Sequence, residues 1–505
     1  MTFLRSHRRE LIVIWSFAVV INFIMANDSF THELFKHYDE AWFYMCGKAW
    51  ANGLVPYLDF ADSKGPLLWL IYAAGYLISP TDYTGVWLLS VPVYLFCFTY
   101  CYRVMLLLSE GQRKVSVLAT LAMAIPYFTG FHFEMRTEDW CQPVVIYGIY
   151  LLVRALCDGG KTLRASEAVV MGAMVVCCLM MKWTIAAVAL LPAVALLCMA
   201  GSCRRAVHAA LWLIAGAVVA LVPFAAIFAW YGNFDAFVEE YFMSTSATIT
   251  VSAATYMGDL LSLLTTRRVG AVIIAIGAAV AALRVAGRRG LWLAGSAAVS
   301  VLIAACNDHA IYYQAVNNSY AVGIVYLAVM WLRRRSAAVR RMSVGVFYVA
   351  TAVVLAAYAY VLHPSFVVSE RPESFYKACL VMSGVEHPRV LNYRMRETGV
   401  GINAETLPAT KYWAYQGGAT EAMRANQDSA IRAGAADFVV ANVWDSADSI
   451  FIESGYQPVM TFREYDDSYV LLSRHARAVP AGACHPSMLS RLLKRPIAES
   501  VASGL

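Results

Sequence analysis

The sequence predicts an all-α polytopic membrane protein that ends in a small extracytoplasmic α/β domain. Of the 505 residues, 60% are hydrophobic and only 15% are charged, and the mean hydropathy is +0.56. Soluble domains carry about 25% charged residues, whereas a membrane-crossing helix needs about 20 apolar residues. Apolar stretches of that length recur along the chain, and the short connections between them carry arginine and lysine.

About 11 membrane-spanning helices are predicted from these stretches. Each must be helical because lipid offers no hydrogen-bond partner to an exposed backbone. The predicted ranges are 11–27, 84–108, 115–131, 141–157, 167–181, 183–200, 209–231, 269–284, 290–306, 318–332 and 343–362.

Basic residues predict how the chain is oriented. Arg5, Arg8 and Arg9 precede the first span, which places the N-terminus in the cytoplasm. The later basic connections are also cytoplasmic only if the apolar stretch 66–78 does not cross. That stretch is short for a span and suits a helix that lies at the interface or re-enters. We therefore expect a multi-pass protein of the inner or plasma membrane, with its first loop, 28–83, outside the cytoplasm.

The last third of the chain is more polar. We divide the sequence into a membrane domain, 1–362, and an extracytoplasmic domain, 363–505. Within the second domain, 435–444 and 465–474 are typical of short strands, and 420–434 is typical of a helix that ends at Gly434. Cys379 and Cys484 lie there and could pair in an oxidising compartment. No Cys/His spacing resembles a zinc site.

The first external loop carries the residues that point most directly to chemistry. Asp39 and Glu40 open the run AWFYMCGKAW, where a helix dipole would favour ionised carboxylates. A carboxylate within reach of a hydroxyl is what a general base requires. Asp59 and Asp62 follow. Lys64 stands where a lipid headgroup phosphate would lie, and its positive charge could neutralise a departing phosphate. The alternative is a solvated loop with aromatic interfacial anchors.

Three further segments fall on the same predicted face. The loop 132–140 carries Arg136, Glu138 and Asp139, which are costly near hydrocarbon unless they are paired or functional. An internal arginine–carboxylate pair is the alternative there. Lys182 lies in an external hairpin, where a snorkelling anchor is the alternative.

The third segment, 307–318, brings His309, Tyr312 and Tyr313 to that face. They suit contacts to a headgroup or a sugar, or else an interfacial aromatic belt. A divalent metal stays open, because carboxylates and a histidine share one face while nothing in the sequence fixes a coordination geometry.

The first loop resembles that of the dolichyl-phosphate-mannose protein mannosyltransferase superfamily. It is most similar to the bacterial branch with the lipid A aminoarabinose transferase and the Rhizobium-type galacturonosyltransferases. Members show an acidic DE pair, a PYxDF-like segment and a lysine turn before an interfacial helix. Here these are Asp39–Glu40, Pro56–Phe60 and Lys64–Pro66, in that order. The resemblance covers residues 1–330, roughly two thirds of the chain.

This resemblance implies a GT-C-type enzyme that transfers a sugar, with inversion, from a polyprenyl-phosphate donor on the outer face. The acceptor would be an envelope glycan, lipid or protein, with no nucleic acid involved. It implies Asp39 as the base, with Glu40 beside it. The implied phosphate contacts are Lys64, Arg136 and Lys182, and the implied substrate contacts are Asp59, Asp62, Glu138, Asp139, His309, Tyr312 and Tyr313. Which of Glu138 and Asp139 matches the second acidic position stays open.

Two other functions fit the composition. A transporter or lipid flippase is the main alternative, although transporters usually place charges near the bilayer midplane in broken helices. A degenerate homologue that acts as a scaffold is the other, and the presence of Asp39, Glu40 and Lys64 argues against it.

Overall fold

The computed structural model describes most of the chain, with gaps between the described segments. These segments are residues 2–26, 38–129, 136–158, 163–244, 253–263, 269–305, 311–362, 373–415, 419–464 and 467–475.

The chain divides into two compact units. The first, here the helical unit, comprises Met1–Ala26, Ser90–Ile227 and Ser246–His363. The second, the mixed unit, comprises Asn27–Leu89, Phe228–Thr245 and Pro364–Leu505. The predicted first loop and the C-terminal residues therefore belong to the same unit. The division predicted at residue 362 stays a prediction.

Among the residues that the structure describes, the helical unit contains helices and 3-10 segments. Its helices are Thr2–Ser6, Arg8–Met25, Arg113–Ala122, Ala124–Thr129, Thr137–Trp140, Gln142–Cys157, Ala165–Leu179, Trp183–Cys198, Ala253–Ser262, Val269–Ala286, Leu291–Ala305, Val322–Arg335, Ala337–Arg341 and Val344–Leu362, and its 3-10 segments are Gly287–Gly290 and Ile311–Ala321. Two boundaries between the units fall inside helices, one in Thr84–Leu108 and one in Cys203–Tyr231.

Among the described residues, five stretches are long and apolar enough to cross a membrane. They are Thr84–Leu108, Thr137–Cys157, Cys203–Tyr231, Val269–Ala305 and Tyr313–Arg335. Shorter apolar helices cover Pro66–Ile78, Ala165–Leu179, Trp183–Cys198 and Val344–Tyr358. The protein is therefore a multi-pass membrane protein, as predicted. The total of about 11 spans stays a prediction.

The mixed unit contains a five-stranded sheet. Its strands are β1 (Arg389–Asn392), β2 (Leu407–Pro408), β3 (Phe438–Asn442), β4 (Gln457–Glu464) and β5 (Asp467–Ser473), in the order β2-β1-β3-β5-β4. Strand β1 is parallel to β2 and β3, whereas β5 is antiparallel to β3 and β4. Leu391, Val439 and Leu472 are buried in one apolar core with Ile431 and Phe451.

Helices of the mixed unit lie before and between these strands in the sequence. They are Tyr38–Ala51, Pro66–Ile78, Phe234–Phe237, Glu373–Ser383, Val400–Asn403, Glu421–Arg432 and Ser449–Glu453, with a π-helical segment at Val238–Ser244. The predicted α/β character is confirmed. Strands β3 and β5 and the helix Glu421–Arg432 occupy the predicted positions, and Thr420 caps that helix by accepting from Met423 N. Cys484 lies outside the described residues, so its pairing with Cys379 stays a prediction.

Two helices of the first loop pack closely. We call Tyr38–Ala51 the acidic helix. Its neighbour, Pro66–Ile78, has proline at its first position, where a helix needs no backbone N–H. A Cβ at Gly47 would lie 2.5 Å from the backbone nitrogen of Ala73 and 2.6 Å from the carbonyl carbon of Tyr72. Only glycine therefore allows this approach. A helix from Pro66 to Ile78 rises about 20 Å, less than the hydrocarbon thickness of about 30 Å.

We expect Gly47→Ala to destabilise the protein by about 1–3 kcal/mol, because the added methyl group would push against the backbone of the neighbouring helix. Thermal unfolding in detergent measures this loss. Gly295→Ala is the matched control, since its Cβ would meet open space. Equal unfolding temperatures for the two variants would show that the helices do not depend on this contact.

Candidate active site

The acidic helix places two carboxylates in its first turn. Asp39 is partly buried, and the side chain of Glu40 is fully buried. Carboxylates in the first turn are stabilised by the partial positive charge of a helix N-terminus. The helix dipole therefore acts on both members of the predicted catalytic pair.

Asp62 and Lys64 share an electrostatic environment with Asp39. Asp62 is 9% exposed, and its Oδ1 accepts hydrogen bonds from Ser63 N at 2.6 Å and Ser63 Oγ at 3.2 Å. Burial raises the pKa of Asp62, the Lys64 ammonium opposes that rise, and the negative charge of Asp39 adds to it. The ammonium of Lys64 also lies 5.8 Å from the ring centroid of Phe43 on the acidic helix. Two carboxylates and one cation therefore interact here.

A strained turn presents this group. Tyr57 has φ +64°, which is unusual for a bulky residue. Its hydroxyl donates to the Lys64 carbonyl at 3.0 Å, and its buried ring lies 4.7 Å from that of Trp69. The turn is also closed by Asp59, whose Oδ2 accepts from Val55 N at 2.7 Å while the residue is exposed. Asp59 thus shapes the loop that carries Asp62 and Lys64.

A buried network, not anticipated from the sequence, holds the other end of the acidic helix. The Lys48 ammonium donates to the Gly401 carbonyl at 3.0 Å, across 353 residues of sequence. Burial lowers the pKa of Lys48 to about 7, against the opposing charges of Glu405 and Glu397. The only sequence feature that could have indicated this network was a lysine inside an apolar run.

Glu397 is the acid of this network and is fully buried. Its carboxylate accepts from Trp413 Nε1 at 2.8 Å, Asn392 Nδ2 at 2.9 Å and Gly399 N at 3.0 Å. Burial raises the pKa of Glu397, and these hydrogen bonds oppose the rise. The ring of Trp413 packs against that of Trp42 on the acidic helix, with centroids 4.8 Å apart. C-terminal residues therefore fix the helix that carries Asp39.

The helical unit has a separate ionic cluster. Lys182 Nζ lies 2.7 Å from Glu138 Oε1, with both side chains largely buried. The same ammonium stands 3.6 Å from the ring centroid of Tyr313, a cation–π contact. Thus the structure brings together three residues that the sequence placed on one face.

The other predicted site residues of this unit are Arg136, Asp139, Tyr312 and His309. Arg136 and Asp139 are buried, and Arg136 N donates to Asp139 Oδ2 at 3.4 Å at the start of a short helix. Tyr312 lies in the 3-10 segment Ile311–Ala321. His309 lies outside the described residues. Within the described ranges, no group of three or more His, Cys, Asp or Glu residues could hold a metal ion.

The buried Lys48 makes stability depend on pH. An unfolded lysine has a pKa of about 10.4, so between about pH 7 and pH 10 the unfolded chain binds more protons than the folded one. Lys48 therefore contributes an increase in unfolding free energy of up to about 1.4 kcal/mol per pH unit as the pH rises. We expect Lys48→Met to remove this increase, as measured by unfolding of the detergent-solubilised protein from pH 7 to 9.

The control is Lys377→Met, which removes a partly exposed lysine paired with Glu373 on a helix of the same unit. That variant should keep the wild-type pH dependence. A Lys48→Met protein whose stability changes with pH as the wild type does would show that the lysine stays charged in the folded state.

Comparison with solved structures identifies the fold. The chain is similar to ArnT from Cupriavidus metallidurans bound to undecaprenyl phosphate, with a TM-score of 0.60 and 12% identity over 93% of this chain and 99% of that one. The apo ArnT structure gives a TM-score of 0.61 and 11% identity over 94% and 100%.

The arabinofuranosyltransferase AftD from Mycobacteria is also similar, with a TM-score of 0.51 and 15% identity over 94% of this chain and 40% of that one. No protein-family model and no curated protein sequence matches the chain. The chain has the fold of the GT-C glycosyltransferases.

Proposed function

We propose that this protein is an inverting glycosyltransferase that takes a sugar from a polyprenyl-phosphate donor on the non-cytoplasmic face of the inner or plasma membrane. The observation that carries the proposal is the interacting group of Asp39, Asp62 and Lys64 in a chain with the GT-C fold. The similar ArnT structure contains undecaprenyl phosphate, which supports a donor of that class.

The chemistry needs a base, alignment and charge neutralisation. Asp39 takes the proton from an acceptor hydroxyl as the hydroxyl oxygen forms a bond to the anomeric carbon. The bond between that carbon and the phosphate oxygen breaks on the opposite side, and the lipid phosphate leaves with the electron pair. Glu40, buried beside Asp39, helps to position the acceptor.

Cations then stabilise the departing phosphate. Lys64 supplies a positive charge to Asp62, on which Asp39 also acts, and its backbone is held by the Tyr57 turn. Arg136 and Lys182 are the proposed phosphate contacts of the helical unit, where Glu138 and Tyr313 orient the Lys182 ammonium. Such preorganised charges stabilise a transition state because they need no rearrangement as charge develops. A requirement for a divalent metal is tested separately, by adding a chelator to the turnover assay.

We expect Asp39→Asn to lower turnover by about 10²- to 10⁴-fold, because the amide cannot accept the acceptor proton. Release of lipid phosphate from a panel of polyprenyl-phosphate sugars measures the rate. The matched control is Asp235→Asn, which changes an exposed acid of the mixed unit and should leave the rate unchanged.

Wild-type turnover by a folded Asp39→Asn protein would remove Asp39 from the base role. Exchange of sugar lipid across proteoliposomes by the wild type, with no glycosidic product, would favour a transporter instead.

We expect Lys64→Gln to lower kcat by about 10²-fold, since one charge that neutralises the leaving phosphate is lost. Lys64→Arg should recover part of that loss, because it restores the charge with a different geometry. Equal rates for the two variants would show that charge at this position does not assist departure. Both rates come from the lipid phosphate release assay, with Lys377→Gln as the control.

A further inference from the structure

A cavity in the mixed unit lies apart in sequence from the acidic helix. It measures about 410 Å³ and is lined by Arg394, Met395, Arg396, Tyr415, Ala419 and Arg424. Small-molecule sites commonly have volumes of about 300–1,000 Å³. Three of the six described lining residues are arginines, whose planar guanidinium groups bind carboxylates and phosphates with two parallel hydrogen bonds. The lining therefore suits an anionic group.

Arg394 is held in position by the fold. Its φ of +52° is a conformation that L-residues rarely adopt, and its backbone nitrogen donates to Gln427 Oε1 at 2.9 Å. The guanidinium lies 3.5 Å from Asp428 Oδ2 and 3.8 Å from Asp448 Oδ2, and 4.6 Å from the ring centroid of Tyr393. Strain that the surrounding structure maintains is characteristic of binding sites.

Two buried polar atoms lie beside these arginines. Tyr415 is 6% exposed, yet within the described residues nothing lies within hydrogen-bond distance of its hydroxyl. Asp428 Oδ1 is likewise buried without a hydrogen-bond partner in the described part of the chain. The charges of Arg394, Arg424 and Asp428 all act on the Tyr415 hydroxyl, so these groups are close together. Buried polar groups are rarely left unpaired, and a ligand in the cavity would supply a partner to the Tyr415 hydroxyl.

The combination of groups selects among anionic ligands. The Arg394 guanidinium already faces Asp428 and Asp448, so a ligand that carries only negative charge uses part of the lining, whereas a ligand that also carries a hydroxyl group pairs with Tyr415. The Tyr415 hydroxyl can donate or accept. Arginines for an acid group, next to a tyrosine for a hydroxyl, match a sugar that bears a carboxylate or a phosphate.

We propose that this cavity binds an acidic saccharide segment of the acceptor. The identification of this saccharide as part of the acceptor rests on the proposed transferase function. The binding itself does not depend on turnover. The acid group lies against Arg394 and Arg424, and a neighbouring ring hydroxyl pairs with the Tyr415 hydroxyl.

Titration calorimetry on the full-length protein in detergent tests the binding. The probes are trigalacturonic acid for the carboxylate source, glucose 6-phosphate for the phosphate source, neutral galactotriose and triglutamate. We expect at least one acidic saccharide to bind and galactotriose and triglutamate to bind at least about tenfold more weakly, since each lacks one half of the required groups. The preferred acidic probe identifies the source of the anion.

Variants locate the site. Arg424 is exposed, so Arg424→Gln should fold, and it should weaken binding of the acidic saccharide about tenfold or more through loss of a charge-assisted hydrogen bond. Tyr415→Phe should weaken it about threefold to tenfold. The matched control is Arg432→Gln, an exposed arginine on the same helix that does not line the cavity. It should bind as the wild type does.

The proposal is overturned if no acidic saccharide binds, if triglutamate binds as tightly, or if Arg424→Gln and Tyr415→Phe bind normally. The outcome is independent of the proposed function, because Asp39→Asn should keep the binding while it loses turnover. Binding that persists when turnover is never found would retain the saccharide site and reject the transferase. Turnover with an unchanged KM for an acidic acceptor in Arg424→Gln would retain the transferase and reject the acceptor site.

Discussion

The acidic helix depends on a lysine that the fold buries. Lys48 lies inside the mixed unit, where it meets the Gly401 carbonyl and the field of Glu397, and Glu397 in turn holds Trp413 against Trp42. Removing one member of such a network leaves the others buried without partners, which costs more than the network contributes when it is complete. The orientation of Asp39 and Glu40 thus rests on residues near position 400.

The mixed unit is assembled from three separated stretches of chain. The middle stretch joins the others through Asn233, which donates to the Pro56 carbonyl at 2.6 Å, and through Glu240, whose carboxylate accepts from Tyr412 at 2.6 Å and lies 2.5 Å from Lys411. The last stretch contributes the sheet and the arginine-lined cavity. One unit therefore contains both the proposed base and the proposed saccharide site, although they come from opposite ends of the sequence.

Local patterns in the sequence predicted local features well. The DE pair, the lysine before Pro66 and the helix and strands of the C-terminal region depend on neighbouring residues, and the structure has them where the patterns indicated. From the sequence, Glu138 and Lys182 could be predicted only to lie on the same membrane face, because membrane spans separate the two residues. The Lys48 network and the Arg394 cavity could not be predicted, since their partners converge only after the chain has folded.

The long sequence interval between Lys48 and Gly401 has a consequence for biosynthesis. The acidic helix is translated early, yet the carbonyl that receives its lysine is made only after 353 further residues. Until then the ammonium must stay hydrated, because an unpaired charge is costly to bury. A nascent chain, or one that ends before residue 401, would contain Asp39 and Glu40 without the hydrogen bond that fixes their helix. The acidic helix can therefore reach its final orientation only after residue 401 has been translated.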